Sequence, residues 1–334
     1  MMSTNRIISY VQAINEALKE EMALDDRVIL LGEDIGSYGG VFKVTKGLFD
    51  EFGKERVIDT PISETGFIGA GVGAAMTGLK PIIEIMWIDF SLVAMDQIIN
   101  QAAKMAYMSG GQTSVPMVIR TQGGGGRGNG AQHSQSLETL FAHIPGLKVV
   151  APSTPYDAKG LLKASIREGS PVIFIEHKML YSQKGEVPEE EYTIPLGKAD
   201  IKRSGKDVTI VTLSRMVQFS LEAAKELEKE GIDAEVIDLR TLVPLDIETV
   251  KESVKKTNRV VVVHEATRSY GWGAEIAARI QEEAFDDLDA PVQRVGAEDV
   301  PVPYNLNLEK EMLPQTKDII QGVKKSLYLQ METV

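Results

Sequence analysis

The residue best suited to catalysis in this sequence is a glutamate that stands alone among small and apolar neighbours. Glu64 follows a short β-prone run and the turn Thr60-Pro61, and it opens a helical segment that ends before a strand at residues 82–86. Each glycine inside a helix costs about 1 kcal/mol relative to alanine, yet this segment contains Gly66, Gly69, Gly71 and Gly73. Such a helix is typical of places that another backbone or a flat ligand approaches closely.

Two interpretations of Glu64 are open from this stretch alone. In the first, it is an ordinary acidic residue in the first turn of a helix, where the helix dipole favours negative charge. In the second, apolar surroundings enclose the carboxyl group, which then shares a proton with a bound heterocycle.

Composition limits the classes of protein to which the chain can belong. Its 334 residues are 43% hydrophobic and 25% charged, which is typical of a globular protein with room for two cores. The net charge is −12 without a basic cluster, so nucleic acid is not an expected partner. The cysteine count of zero removes disulfides and thiolate chemistry. No apolar run approaches the ~20 residues of a membrane span, and we expect a cytoplasmic protein.

Continuous apolar runs alternate with amphipathic helices along the chain, which predicts an α/β fold with a parallel sheet covered on both faces. Ser9 and Gln12 predict a capping box, and residues 91–108 are predicted to form one helix. A polar stretch with little periodicity separates two α/β regions. We therefore predict a domain at residues 1–185, a linker at 186–207 and a smaller domain at 208–334.

A glycine-rich loop spans residues 122–131 and precedes His133. It contains a GxGxxG pattern, but no helix begins at the motif and no acidic residue closes the next strand, so a dinucleotide site is not favoured. We interpret the loop as the mobile rim of an active site. The other histidines are expected to be structural, and no metal-ligand spacing such as HExxH occurs.

Long ordered blocks run through almost the whole chain, including GEDIG, GGVFKVTKGL, DTPISETGF, PGLKVVAPSTPYDAKGLL and DVPVPY. Together they resemble the β subunit of the thiamine-diphosphate-dependent 2-oxo acid dehydrogenases, in their decarboxylating component. The resemblance implies a transketolase-like pyrimidine-binding domain with a parallel sheet, followed by a smaller α/β domain of the transketolase C-terminal type.

The resemblance also implies roles for single residues. Those at the pyrimidine end of the cofactor would be Glu33, Ile62, Glu64, Met86 and Phe90. The catalytic ones would be Glu64, bonded to the pyrimidine nitrogen opposite the amino group, and His133, facing the substrate and the lipoyl arm. Related enzymes hold potassium in a stretch that here contains Met117, Ser165, Glu168 and Ser170. Glu168 and Ser170 replace the usual Asp and Asn, which weakens the expectation of that ion.

One missing motif bears on the partner. The family binds Mg²⁺ and the diphosphate through GDG and a downstream asparagine, and this sequence contains no GDG. The resemblance therefore implies an α subunit that holds both, in an α₂β₂ heterotetramer. That enzyme would decarboxylate pyruvate or a branched-chain 2-oxo acid and pass the acyl group to lipoamide on an acyltransferase core. The alternatives are an acetoin dehydrogenase β subunit and a non-catalytic assembly subunit, against which Glu64 and His133 argue.

Overall fold

The computed structural model describes residues 5–329, which divide into two compact units. The first contains the chain up to Gly123 together with Leu140–Leu196, and the second contains Gly124–Thr139 and the chain from Gly197 onward. Residues 1 and 334, the outer limits of the predicted domains, lie outside the described residues. The glycine-rich loop thus groups with the second unit, although its sequence position falls within the range predicted for the first domain.

A parallel sheet forms the frame of the first unit. The strands of this unit are β1 (Asn5–Ser9), β2 (Val28–Gly32), β3 (Val57–Asp59), β4 (Lys80–Ile85), β5 (Val118–Gly123), β6 (Lys148–Val150), β7 (Val172–His177) and β8 (Lys184–Pro188). Within the unit, β6, β7, β5, β4, β2 and β3 lie side by side in that order, and neighbours are parallel. β2, β5 and β7 are buried along their whole length. The predicted parallel α/β fold is confirmed.

Helices cover this sheet. They are α1 (Tyr10–Leu24), α2 (Leu48–Phe52), α3 (Glu64–Met76), α4 (Met105–Met108), α5 (Glu138–Ala142), which crosses the division between the units, and α6 (Pro155–Ile166). The predicted capping box is present, because Ser9 Oγ accepts the N–H of Gln12 while Gln12 Oε1 accepts the N–H of Ser9. Apolar residues of α1 and α6, such as Leu18 and Leu161, pack with Phe174 of β7 in the main core.

The predicted single helix at residues 91–108 is wrong. The chain forms a 3₁₀ helix at Ile88–Ala94, a π-helix at Gln97–Ala102 and then the single turn of α4. The hydroxyl of Thr65 donates to the carbonyl of Val93 at 2.7 Å, so an acceptor of a continuous helix is used by α3. The apolar periodicity of the segment indicates which of its residues are buried, but it gives no indication of this competing hydrogen bond.

The second unit is smaller and is also of the α/β type. Its strands are β9 (Asp200–Arg203), β10 (Val208–Thr212), β11 (Ala234–Asp238), β12 (Thr241–Val243), β13 (Val260–Thr267) and β14 (Gln293–Ala297). Its helices are α7 (Met216–Lys229), α8 (Ile247–Thr257), α9 (Gly273–Glu283), α10 (Leu306–Met312) and α11 (Thr316–Ser326). The sheet order is β14, β13, β10, β11, β9, and β9 is an antiparallel edge on otherwise parallel strands. Among the helices of residues 5–329, none is long and apolar enough to cross a bilayer.

The polar stretch between the two units contains strands. β8 pairs antiparallel with β1, from Asn5 opposite Pro188 to Ser9 opposite Lys184, and β9 pairs with β11. Both strands are short and mostly polar, and all their side chains except the buried Val187 are exposed or half-buried. Edge strands of this kind give no apolar run, which is why the sequence pattern predicted only a connection.

Candidate active site

The carboxyl edge of the first unit's sheet gathers most of the predicted cofactor residues. The carboxyl ends of parallel strands meet at one edge, where open α/β sheets bind ligands. Glu33 follows β2, Met86 follows β4, and Glu64 comes after the turn that leaves β3. The N–H of Thr60 donates to the carbonyl of Gly32 at 2.9 Å. The turn before Glu64 is thereby tied to the residue before Glu33.

Glu64 is the first residue of α3 and is only 8% exposed. The side chain of Ser63, the N-cap residue, makes no capping hydrogen bond. The positive end of the helix dipole therefore favours the Glu64 carboxylate without competition from a cap. The two interpretations of Glu64 are compatible in this geometry, since the carboxyl group is both in the first turn and enclosed.

Glu33 is electrostatically coupled to Glu64. Partial burial raises the pKa of Glu33, and the charges of Glu64 and Asp34 act in the same direction. A neighbouring negative charge disfavours the ionised form of a carboxyl group, so Glu33 holds a proton more readily than an isolated glutamate. The carboxyl edge of this sheet therefore brings a second acid close to Glu64.

Gly71 of α3 leaves room for the side chain of Ile83 in β4. A Cβ atom at this position would come within 2.1 Å of Ile83 Cδ1 in β4. Glycine therefore allows the buried face of α3 to approach β4, and this approach fixes the position of Glu64 at the start of the helix. The sequence predicted that another backbone or a flat ligand approaches this glycine-rich helix, whereas the group that approaches Gly71 is an isoleucine side chain.

The three apolar residues predicted to contact a ring differ in exposure. Ile62 is 84% exposed, in the turn before α3. Met86 and Phe90 are half-buried, just after β4 and within the 3₁₀ helix Ile88–Ala94. An exposed aliphatic side chain beside two partly covered ones leaves apolar surface at the carboxyl edge, as a bound heterocycle requires.

His133 lies in the second unit, on the loop Gly124–Thr139. It is half-buried, and its backbone N–H donates to the carbonyl of Gly130 at 3.3 Å. A cavity of about 310 Å³ adjoins this loop and is lined by Ser134, Gln135 and Glu265, among others. Nearby, burial raises the pKa of Glu138 to about 7, and the charge of Glu265 acts in the same direction. The sequence pattern gave no signal for Glu138.

Comparison with known proteins decides the family. Residues 6–184 match the transketolase pyrimidine-binding domain, and residues 197–319 match the transketolase C-terminal domain. A pyruvate dehydrogenase E1 component subunit beta-1 from Arabidopsis thaliana is 52% identical over 320 residues, covering 95% of this chain and 88% of the relative. The chain belongs to the β-subunit family of 2-oxo acid dehydrogenases. The pyruvate dehydrogenase E1 family depends on thiamine diphosphate.

Other relatives of this β-subunit chain carry different names. A 2-oxoisovalerate dehydrogenase subunit beta from Bacillus subtilis is 51% identical over 306 residues, covering 91% of this chain and 94% of the relative. An acetoin:2,6-dichlorophenolindophenol oxidoreductase subunit beta from the same organism is 50% identical over 327 residues, covering 94% of this chain and 96% of the relative. Among solved structures, an inactive β₄ tetramer of a split-gene transketolase shares 26% identity at a TM-score of 0.80. The match covers 97% of this chain and 99% of the transketolase chain.

A buried ionic cluster of the β-subunit chain was not predicted. Arg120 donates to Glu176 at 2.7 and 2.9 Å and to Glu84 at 2.7 Å, while the Tyr181 hydroxyl donates to Glu176 at 2.7 Å. Although burial lowers it, the charges of Glu176 and Glu84 hold the pKa of Arg120 above its ordinary value. The available signal was one charged residue inside each of three apolar strands. Beyond Arg120, the buried amide of Gln122 has neither its nitrogen nor its oxygen hydrogen-bonded.

The residues of the predicted potassium stretch are partly engaged. The carboxylate of Glu168 pairs with the Lys148 ammonium at 2.6 Å, so a cation already faces it. The Ser165 hydroxyl donates to the carbonyl of Leu161 at 2.7 Å. Ser170 Oγ is buried without a hydrogen-bond partner. Within residues 5–329, no three His, Asp or Glu side chains converge as a metal-binding group.

Proposed function

We propose that this chain is the pyrimidine-binding subunit of a two-chain enzyme that decarboxylates a 2-oxo acid and passes the acyl group to lipoamide. The observation that carries the proposal is the coupled pair of Glu64 and Glu33 at the carboxyl edge of a transketolase-type pyrimidine domain. When bound, thiamine diphosphate supplies the carbon nucleophile and the electron sink for the decarboxylation. Glu64 holds and moves a proton at the pyrimidine nitrogen opposite the amino group, and Ile62, Met86 and Phe90 pack on the ring and exclude water.

The second half of the site belongs, in this proposal, to an α subunit. The sequence contains no GDG, the motif that holds Mg²⁺ and the diphosphate in thiamine-diphosphate enzymes. The β₄ tetramer of the split-gene transketolase is inactive, which supports the need for a partner. We assign an α₂β₂ assembly with lipoyl-bearing acyltransferase as the acceptor. A potassium ion near Met117, Ser165, Glu168 and Ser170 stays a prediction, with the Ser170 hydroxyl as its strongest support.

The substrate is proposed as pyruvate or a branched-chain 2-oxo acid. Acetoin is a second candidate, because the acetoin oxidoreductase β subunit matches nearly the whole chain at 50% identity. Co-purification of the chain with its α subunit, followed by turnover of pyruvate, branched 2-oxo acids and acetoin, separates the candidates. A complex that binds thiamine diphosphate and turns over none of these would favour the non-catalytic assembly subunit.

His133 is assigned to the acyl transfer. Imidazole exchanges a proton near neutral pH, so it can protonate the dithiolane sulfur while the acyl group moves to lipoamide. We expect His133→Ala in the assembled α–β enzyme to damage acyl transfer to lipoamide more than decarboxylation with an artificial electron acceptor. Both rates are measured on one preparation, with His143→Ala, an exposed histidine, as the matched control. Equal loss in both assays would place His133 at the substrate carboxylate, and no loss in either would make it structural.

A further inference from the structure

The loop that carries His133 is closed at its base. The N–H of Gly124 donates to the carbonyl of Gln135 at 3.0 Å, so the two ends of the loop are held together. His133 is two residues from the closing carbonyl. Its position therefore depends on how the rest of the loop backbone is held within the second unit.

A buried carboxylate holds the first half of this loop. Glu309, on α10, accepts the N–H of Gly126 at 2.8 Å with Oε1 and the N–H of Gly128 at 2.8 Å with Oε2. The residue is only 1% exposed, and a buried carboxylate requires such partners. Hydrogen bonds to an ionised acceptor are about twice as strong as neutral ones. Glu309 therefore fixes two loop amides with a single side chain.

A second carboxylate holds the adjoining residue. Glu265, on β13, accepts the N–H of Gly125 at 2.6 Å. Arg215 donates to the carbonyl of Gly125 at 3.2 Å, and its guanidinium lies 3.6 Å from the Glu265 carboxylate. The backbone of Gly125 is thus held through both of its polar groups, by side chains that follow it in the chain by 90 and 140 residues.

The backbone geometry at position 128 requires glycine for a reason that is independent of mobility. Its φ is +66°, a conformation that side chains disfavour, and a Cβ atom there would lie 3.0 Å from the carbonyl oxygen of Tyr304. The loop backbone lies directly against the segment that leads into α10. The glycine content predicted a mobile rim, which stays a prediction, and the close contact with Tyr304 is a separate reason for glycine at position 128.

We propose that Glu309, supported by Glu265, is the positioning residue of His133. It holds residues 125–128, and the closed base transmits that anchorage to the short remaining arc on which His133 lies. The inference rests on the proposed function and extends it, because it assigns the orientation of the acyl-transfer histidine to a carboxylate in the C-terminal part of the chain. Glu309 acts through its hydrogen bonds to the loop backbone and is not a catalytic residue.

The anchorage is tested by amide hydrogen exchange of residues 124–135 in the full chain. In Glu309→Gln one of the two N–H groups faces the amide nitrogen of the glutamine, so that hydrogen bond is lost. We expect this segment to exchange about tenfold faster or more in Glu309→Gln than in the wild type. The control is Glu311→Gln, an exposed glutamate on the same helix, which should exchange like the wild type. Unchanged exchange in Glu309→Gln would overturn the anchorage.

The positioning role is tested on the assembled α–β enzyme. We expect Glu309→Gln to lower acyl transfer to lipoamide by about 10- to 100-fold, because small misplacements of a reacting group have effects of this size. Decarboxylation with an artificial electron acceptor should fall by less than about threefold. Adding Glu309→Gln to His133→Ala should cause no further loss of transfer, since both changes remove the same contribution. Equal loss in both assays, or additive losses in the double variant, would overturn the proposal.

A second variant keeps the test decisive if Glu309→Gln does not fold. Gly128→Ala leaves α10 intact but displaces the loop from the Tyr304 carbonyl, and it should give the same selective loss of transfer. Absence of that loss counts against the proposal. Failure of the proposed function is recognised separately, because the wild-type complex itself would then transfer no acyl group while the exchange measurement still decides the anchorage.

Discussion

The carboxyl groups of Glu33 and Glu64 are two acids in unequal surroundings. Glu64 is enclosed at the start of a helix, whereas Glu33 is more exposed and its pKa is raised by partial burial and then by the charge of Glu64. The charge of Glu64 thus favours the protonated form of Glu33. The proposed function places the ring nitrogen of the cofactor at Glu64, beside this second acid.

We expect Glu64→Gln to leave the α–β complex assembled while lowering kcat by about 100-fold or more, the usual range for loss of a general acid–base group. The amide preserves the shape of the side chain and cannot pass the proton. Turnover and size-exclusion chromatography are measured together, with the exposed Glu55→Gln as the control. Near-normal turnover would mean that Glu64 only complements the helix dipole.

His264 is a buried histidine in the second unit. Its Nδ1 lies 2.9 Å from the carbonyl of Ala266, its Nε2 is buried without a hydrogen-bond partner, and Trp272 packs 5.1 Å away between ring centroids. Burial lowers the pKa of His264 from 6.5 to about 4, and the charge of Arg294 acts in the same direction. The unfolded chain therefore binds a proton between pH 4 and 6.5 that the folded chain does not.

Stability of the second unit should consequently rise with pH from about 4 to 6.5, by about 3 kcal/mol from this group alone. His264→Gln removes the titrating ring and should flatten that part of the profile. Urea unfolding can be followed through Trp272 fluorescence in a Trp87→Phe background, the chain having two tryptophans. His143→Gln, at an exposed position, is the control. A profile that keeps its slope in His264→Gln would assign the pH dependence to other groups.

At the scale of elements, α3 has two faces with opposite requirements. A side chain at Gly71 would meet Ile83 of β4, whereas a Cβ atom at Gly73 would meet nothing within 4 Å. The first glycine permits packing, and the second only lowers helix stability in this chain.

We therefore expect paired alanine substitutions to act in opposite directions. Gly71→Ala should destabilise the chain by up to about 2 kcal/mol, because an overpacking cost of about 1–3 kcal/mol against Ile83 exceeds the gain of about 1 kcal/mol in helix propensity. Gly73→Ala should stabilise it by up to about 1 kcal/mol through helix propensity. Chemical denaturation of the two variants measures both values. The close packing of α3 on β4 would be contradicted if both substitutions stabilised the chain.

Elements that depend on local chemistry were predictable from the sequence. Ser9 and Gln12 form the predicted capping box, because a cap is decided within four residues. The segment that Thr65 interrupts and the cluster around Arg120 were not predictable in this way, since each depends on partners from other elements. Apolar periodicity reports which residues are buried but not which polar groups meet.

At the scale of the whole molecule, the proposed site is incomplete in this chain. We expect the isolated chain to show little thiamine diphosphate binding by calorimetry, with or without Mg²⁺, because the diphosphate clamp belongs to the α subunit. Addition of the α subunit should produce tight, Mg²⁺-dependent binding. Tight binding by the β chain alone would falsify the division of the site.

The association of the glycine-rich loop with the second unit was also beyond sequence pattern. Its anchors, Glu265 and Glu309, follow the loop by 140 and about 180 residues, and a charged residue in a strand or helix gives no indication of which amides it will bind. The motif around Glu64 was predictable because strand, turn and helix lie within 30 residues. The local structure around Glu64 could therefore be predicted from the sequence, while the chemical role of Glu64 stays a prediction. The anchoring of the loop that carries His133 was not predicted.

The pairing of β1 with β8 has a consequence for the way the chain is made. β1 is synthesised about 180 residues before its partner strand, an interval of about 10–40 s at roughly 5–20 residues per second. Until β8 is synthesised, β1 lacks its partner, although the strands of the first sheet that lie between them are made during that interval. We expect the first unit to complete its fold only after residue 188 is translated, so ribosome-bound chains shorter than this should stay sensitive to protease and dependent on chaperones.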